Sequence, residues 1–82
     1  MVHPEIQHMK LFHVGQTDLD WAIGLRGAWK PEYQNCLVRQ EEFTVQAVQR
    51  DYRGDLCYRV VADSDIHKFG MPAHSYEIEI FV

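Results

Sequence analysis

Between Phe43 and Ala62, two β-rich runs flank a five-residue turn, and this pairing constrains the fold more than any other feature of the 82-residue chain. Phe43, Val45 and Ala47 alternate with Thr44 and Gln46, the period-two signature of a strand with one buried face, although Val48 falls out of step. Asp51-Tyr52-Arg53-Gly54-Asp55 supplies turn residues, and the alternation resumes as Leu56, Tyr58, Val60 and Ala62.

Three other stretches predict strands. Residues 6–14 are apolar on both faces. Leu19, Trp21, Ile23 and Leu25 alternate with Asp20, Ala22, Gly24 and Arg26, which places Trp21 in the core, and Gly15-Gln16-Thr17-Asp18 reads as the loop before them. Thr17 followed by Asp18 and Asp20 also resembles a helix start, but Gly24 and Gly27 would each cost such a helix about 1 kcal/mol. Tyr76, Ile78, Ile80 and Val82 alternate with Glu77 and Glu79 at the end of the sequence. Residues 31–40 predict a short helix with Pro31 in its first turn, and residues 64–69 a single helical turn capped by Ser64 and stopped by Gly70. The expected fold is α+β but mainly antiparallel β: a five-stranded curved sheet (β-β-α-β-β-β) with one short helix over a face. A small, partly closed all-β barrel is the alternative.

The length allows one domain spanning residues 1–82, which buries only about 60% of its unfolded surface and so gains from oligomerisation. Eight basic residues against twelve acidic ones leave a formal charge of −4. The basic residues are scattered, whereas a nucleic-acid binder concentrates them, so the charge argues against nucleic acid. No stretch approaches the roughly 20 apolar residues of a membrane span, and the start of the chain lacks a secretory pattern. Cys36 and Cys57 are too few for the disulfide framework of a small secreted domain, so a cytoplasmic protein with reduced thiols is expected.

Short motifs match by pattern alone. Arg53-Gly54-Asp55 matches the adhesion triplet recognised by integrins, but it stands where a hairpin needs turn residues. Gly24-Leu25-Arg26-Gly27 matches the GxxG loop of KH-type RNA-binding domains, yet it lies in the expected strand, where glycines mark a bulge or a close approach of the backbone. His3, His8 and His13 recur at a spacing that suits neither helix nor strand, and His67 and His74 flank a loop with Gly70 and Pro72. Joined with the two cysteines they match no tight zinc pair, so no metal and no cofactor are expected. No nucleophile, base and orienting group can be assigned to a catalytic set.

Trp29 and Tyr33 sit in a Pro-containing stretch beside Arg26 and Lys30, and aromatic and Arg side chains concentrate at the centres of protein interfaces. The competing reading has Trp29 and Tyr33 closing one end of the sheet. The leading functional expectation is a small cytoplasmic protein-binding module, a regulator or inhibitor without chemistry of its own. Its partner would be another protein, contacted through Trp29, Tyr33, Arg26, Lys30, Arg53 and Asp55. A last strand at the sheet edge would also allow a homodimer. The alternatives are a small enzyme or ligand binder with a site at a dimer interface, and a nucleic-acid-binding small barrel with Trp29 and Tyr33 exposed for stacking.

Overall fold

The computed structural model describes residues 14–82. The strand expected at 6–14, and His3, His8 and His13, lie outside the described residues apart from Val14. Five strands, β1 (Arg26–Trp29), β2 (Glu42–Arg50), β3 (Leu56–Ala62), β4 (Met71–Ala73) and β5 (Ile78–Ile80), form one antiparallel sheet in the order β4-β3-β2-β1-β5.

The central hairpin β2–β3 forms as its alternation predicts, with Phe43 opposite Ala62, Val45 opposite Val60 and Val48 opposite Tyr58. Val48 falls out of step in the sequence because the register shifts between Val45 and Ala47, leaving Gln46 as an extra residue on β2. That bulge returns Val48 to the inner face, where it is fully buried.

The sheet is not closed into a barrel, yet it must curl. Laid flat, its two edges would stand about 19 Å apart. The link from Ala73 on one edge to Ile78 on the other can reach at most about 17 Å. The concave side holds Trp29, Phe43, Val45, Val48, Tyr58, Val60, Ala73 and Ile78, with Ala22 covering them.

The expected strand at 19–26 is a 3-10 turn, Asp20–Ala22, followed by the short β1. Local polar bonding overrides the alternation there. The Asp20 carboxylate accepts the Thr17 hydroxyl (2.8 Å) and backbone N–H (3.2 Å), while the Thr17 hydroxyl accepts the Leu19 N–H (3.1 Å). The turn reverses the expected burial, since Ala22 is buried and Trp21 is 57% exposed. Gly24, at φ +88°, then redirects the chain into β1.

No α-helix forms among the described residues, which corrects both helical expectations. Residues 31–40 divide into two 3-10 turns, Pro31–Tyr33 and Leu37–Gln40, separated by an extended Cys36. The Gln34 side chain donates to the Trp29 carbonyl (2.8 Å) and draws this stretch into a cap over the sheet end. Strand β4 falls in a stretch read as loop, with Pro72 tolerated because β4 is an edge strand and needs no N–H on its outer side. The last expected strand is shorter than its alternation. Ser75–Glu77 is a 3-10 turn, and only Ile78–Ile80 pairs, at the edge beside β1.

Candidate interaction site

The segment between β3 and β4, residues 63–70, is neither helix nor strand, yet hydrogen bonds tie it down along its length. At its base the Arg26 guanidinium grips both Asp63 carboxylate oxygens (2.9 and 2.8 Å) and reaches Glu42 (3.2 Å). The Glu41 carboxylate accepts the Ser64 N–H (2.9 Å) and hydroxyl (2.7 Å). Asp65 is the centre of the loop, because its carboxylate accepts the N–H groups of Phe69 (3.3 Å) and Gly70 (2.8 Å). Its backbone carbonyl accepts the Lys68 N–H (3.0 Å). From the outer face of the sheet, Arg59 donates to the Phe69 carbonyl (2.6 Å) and the Gln46 amide to the Lys68 carbonyl (3.2 Å).

This bracing has a cost. Lys68 adopts φ +55°, the left-handed region that a side chain with a Cβ seldom occupies. The Gln46 amide gives its N–H to Lys68 and leaves its oxygen buried without a hydrogen-bond partner. Yet the loop does not bury its large apolar side chains. Ile66 is 81% exposed and Phe69 67%, with the His67 ring tilted against Phe69 at 5.5 Å and Lys68 exposed between them. Beneath the loop lies a groove of about 370 Å³, lined by Thr44, Gln46, Val61, Asp65, Ile66 and Lys68 among others. Strained backbone that the surrounding structure over-determines concentrates at active sites, ligand clamps and switch regions.

The Asp65 carboxyl is held below the usual carboxylate range, first by the Gly70 N–H and then, against some burial, by the Phe69 and Lys68 N–H groups. A depressed carboxyl contributes stability above its unfolded value and loses it as pH falls through the folded one. Acidification through the lowered Asp65 value is therefore expected to loosen the loop before the sheet. Asp65→Ala should reproduce this at neutral pH, and amide exchange at Phe69 and Gly70, faster than at the β2–β3 hairpin, is the measurement.

The six residues expected to contact a partner do not form one surface. Trp29 is 3% exposed, its ring edge-on to Phe43 (6.1 Å, 77°) and covered by the Arg39 guanidinium at 4.2 Å. It closes one end of the sheet, the competing reading of that residue, and is not available for stacking on a base. Tyr33 packs half-buried against the core, edge-on to Tyr76 at 6.1 Å. Lys30 is exposed beside the first 3-10 turn after β1, and Arg26 is the clamp at the base of the 63–70 loop.

Arg53 and Asp55 belong to the hairpin turn, each held through its backbone: their N–H groups donate to Asp51 Oδ1 (2.8 and 2.9 Å), and Gly54 between them has φ +87°. Turn geometry accounts for that triplet. Arg53 also lies over the Tyr52 ring at 5.3 Å, and Tyr52 is 90% exposed. In the GxxG match Gly24 supplies a positive φ and Gly27 a close backbone approach.

His67 and His74 engage different partners, Phe69 for the first and Asp51 and Glu77 for the second. Both His74 ring nitrogens face carboxylates, Nε2 that of Asp51 and Nδ1 that of Glu77. Cys57 is buried, and burial pushes its thiol up, away from the reactive thiolate. Among the described residues no group of three His, Cys, Asp or Glu side chains could hold a metal ion, and no helix is long and apolar enough to cross a membrane.

Ile66 and Phe69 were missed because a helical turn was expected across them. The available signal was Asp65 followed by Gly70, an acceptor poised to bond backbone groups ahead of it. No family model, no curated protein and no solved structure matches the chain.

Proposed function

We propose that this chain is a small protein-binding module acting in the cytoplasm, with the braced 63–70 loop as its contact surface. The observation that carries the reading is the pairing of rigidity with exposure: a loop tied at both ends and its centre presents Ile66 and Phe69 to solvent. A loop already ordered in its bound shape avoids much of the entropy that association otherwise costs. Two apolar side chains on either side of an exposed Lys68 fit an apolar cleft with an acidic rim on the partner. The exposed thiol of Cys36 is compatible with a reducing compartment. Arg26 supports the site as a positioning residue, since it grips Asp63 at the base of the loop.

The double variant Ile66→Ser, Phe69→Ser tests this. It should unfold within about 0.5 kcal/mol of the parent chain, because neither side chain contributes to the core. Used as bait in lysate of the cells that make the protein, the parent chain and a Tyr52→Ser variant should retain one stoichiometric protein through a high-salt wash. The double variant should lose it. Retention by the double variant together with loss by Tyr52→Ser would move the surface to the hairpin turn.

A further inference from the structure

A second cluster, independent of the loop, joins the hairpin turn to the link between β4 and β5. His74 stands between two carboxylates, with Nε2 2.8 Å from Asp51 Oδ2 and Nδ1 3.1 Å from Glu77 Oε1. The side chains are 31%, 10% and 15% exposed for His74, Asp51 and Glu77, so water offers the two carboxylates little alternative. An ionised carboxylate only accepts hydrogen bonds. Both contacts therefore require a proton on each ring nitrogen. Nδ1 also faces the Glu77 backbone N–H, but that group is committed to the His74 carbonyl at 2.9 Å.

A neutral imidazole carries one donor and one lone pair, so it can satisfy only one of the two carboxylates. We propose that His74 is a proton-operated latch: doubly protonated, it bridges Asp51 and Glu77, and on losing a proton it keeps its hold on Asp51 and opens its Glu77 arm. The Asp51 arm keeps the remaining proton because Asp51 Oδ2 has His74 as its partner, whereas Glu77 Oε1 also accepts the His74 backbone N–H (2.9 Å) in either state. Asp51 Oδ1 stays anchored by the Arg53 and Asp55 N–H groups. Opening frees one ring contact beside Tyr76, whose ring stacks on His74 (5.7 Å, 20°) and meets Tyr33 edge-on, while the two backbone-held bonds of the 3-10 turn remain. The proton is thereby coupled to the entry into β5.

The surrounding groups favour the closed state. From β3, the Cys57 thiol is kept neutral by burial, and Arg59 spends its guanidinium on Gln49 and the Phe69 carbonyl. From the turn, Arg53 and Asp55 contribute opposite charges, and from the link Glu77 adds a second negative one. His74 is accordingly raised above its ordinary value, chiefly by the hydrogen bond to Asp51 and less by Glu77, with burial opposing. Asp51 is lowered, chiefly by His74. A raised histidine stabilises the fold below its unfolded value and loses that contribution as pH rises through the folded one. The lowered Asp51 contributes above its unfolded value and loses its contribution as pH falls. The latch is therefore closed below the raised His74 value and opens as pH rises through it.

The test is an NMR titration of the full chain from about pH 5 to about pH 9, following the His74 ring nitrogens, the Glu77 carboxyl carbon and the backbone amides. Both ring nitrogens should be protonated at the acid end, with a midpoint above that of an ordinary histidine. The Glu77 carboxyl should move with the same midpoint while the Arg53 and Asp55 amides hold. Asp51→Asn should weaken proton binding at His74 roughly tenfold, and His74→Gln should abolish the coupled shift at Glu77. A neutral single tautomer at the acid end, a midpoint at or below the ordinary value, or a Glu77 signal indifferent to the His74 midpoint would overturn the proposal.

Discussion

Trp29→Ala is expected to lower the unfolding free energy by about 3–5 kcal/mol, enough to leave a domain of this size largely unfolded at room temperature. Trp29 is 3% exposed, its ring closes the end of the core against Phe43, and Arg39 lies over its outer face. Truncation would remove the largest side chain of the core cluster and leave the Arg39 guanidinium without its aromatic platform. The chain's other tryptophan supplies the contrast. Trp21 is 57% exposed, and Trp21→Ala should fall within about 0.5 kcal/mol of the parent chain. Urea titrations of the two variants, followed by far-UV circular dichroism, separate these outcomes. Equal costs, or a larger cost at Trp21, would contradict the packing described above.

Gly27→Ala should be the second most damaging change, at about 3 kcal/mol, although it adds a single methyl group. A Cβ at Gly27 would meet the Glu79 backbone carbonyl on β5 and the Phe43 ring at 2.8 Å. Neither neighbour can move freely, because Phe43 is fully buried and β5 is held to β1 through this register. Gly24 offers the matched comparison. It has φ +88° and open space around it, so Gly24→Ala carries only the backbone penalty, about 1–2 kcal/mol. Loss of exchange protection at Ile78–Ile80 in Gly27→Ala, but not in Gly24→Ala, would locate the damage at the β1–β5 pairing.

Those two glycines show where the sequence could be read and where it could not. The β2–β3 hairpin was legible because each side chain meets a partner in a register set by one local turn. Even Val48, out of step in the sequence, is explained by the Gln46 bulge. The stretch 19–26 misled because perfect alternation is silent about competing local bonds. Asp20 and Thr17 satisfy one another within a turn, and the burying tryptophan becomes Trp29 in place of Trp21. Strand β4 was obscured because pairing with β3 defines it more than its own composition, whereas β5 was legible from its alternation and is only shortened by the Ser75–Glu77 turn.

The candidate site was legible only at its edges. Arg26 was singled out as a contact residue and is the clamp at the base of the 63–70 loop. Ile66 and Phe69 carry no distinguishing pattern, since their exposure follows from Asp65 gathering the backbone N–H groups around itself. His74 was noted for its place in a loop. Its role depends on Asp51 and Glu77, one of them 23 residues away in sequence, and nothing in the spacing announces that.

The most direct test of the central claim is site-specific photocrosslinking in the cells that produce the protein, with a benzophenone side chain placed at position 69, at position 66, or at position 52. Positions 66 and 69 should each give the same single covalent adduct with one other protein, and position 52 should give none. Adducts from position 52, with none from 66 or 69, would contradict that claim and assign the contact surface to the hairpin turn.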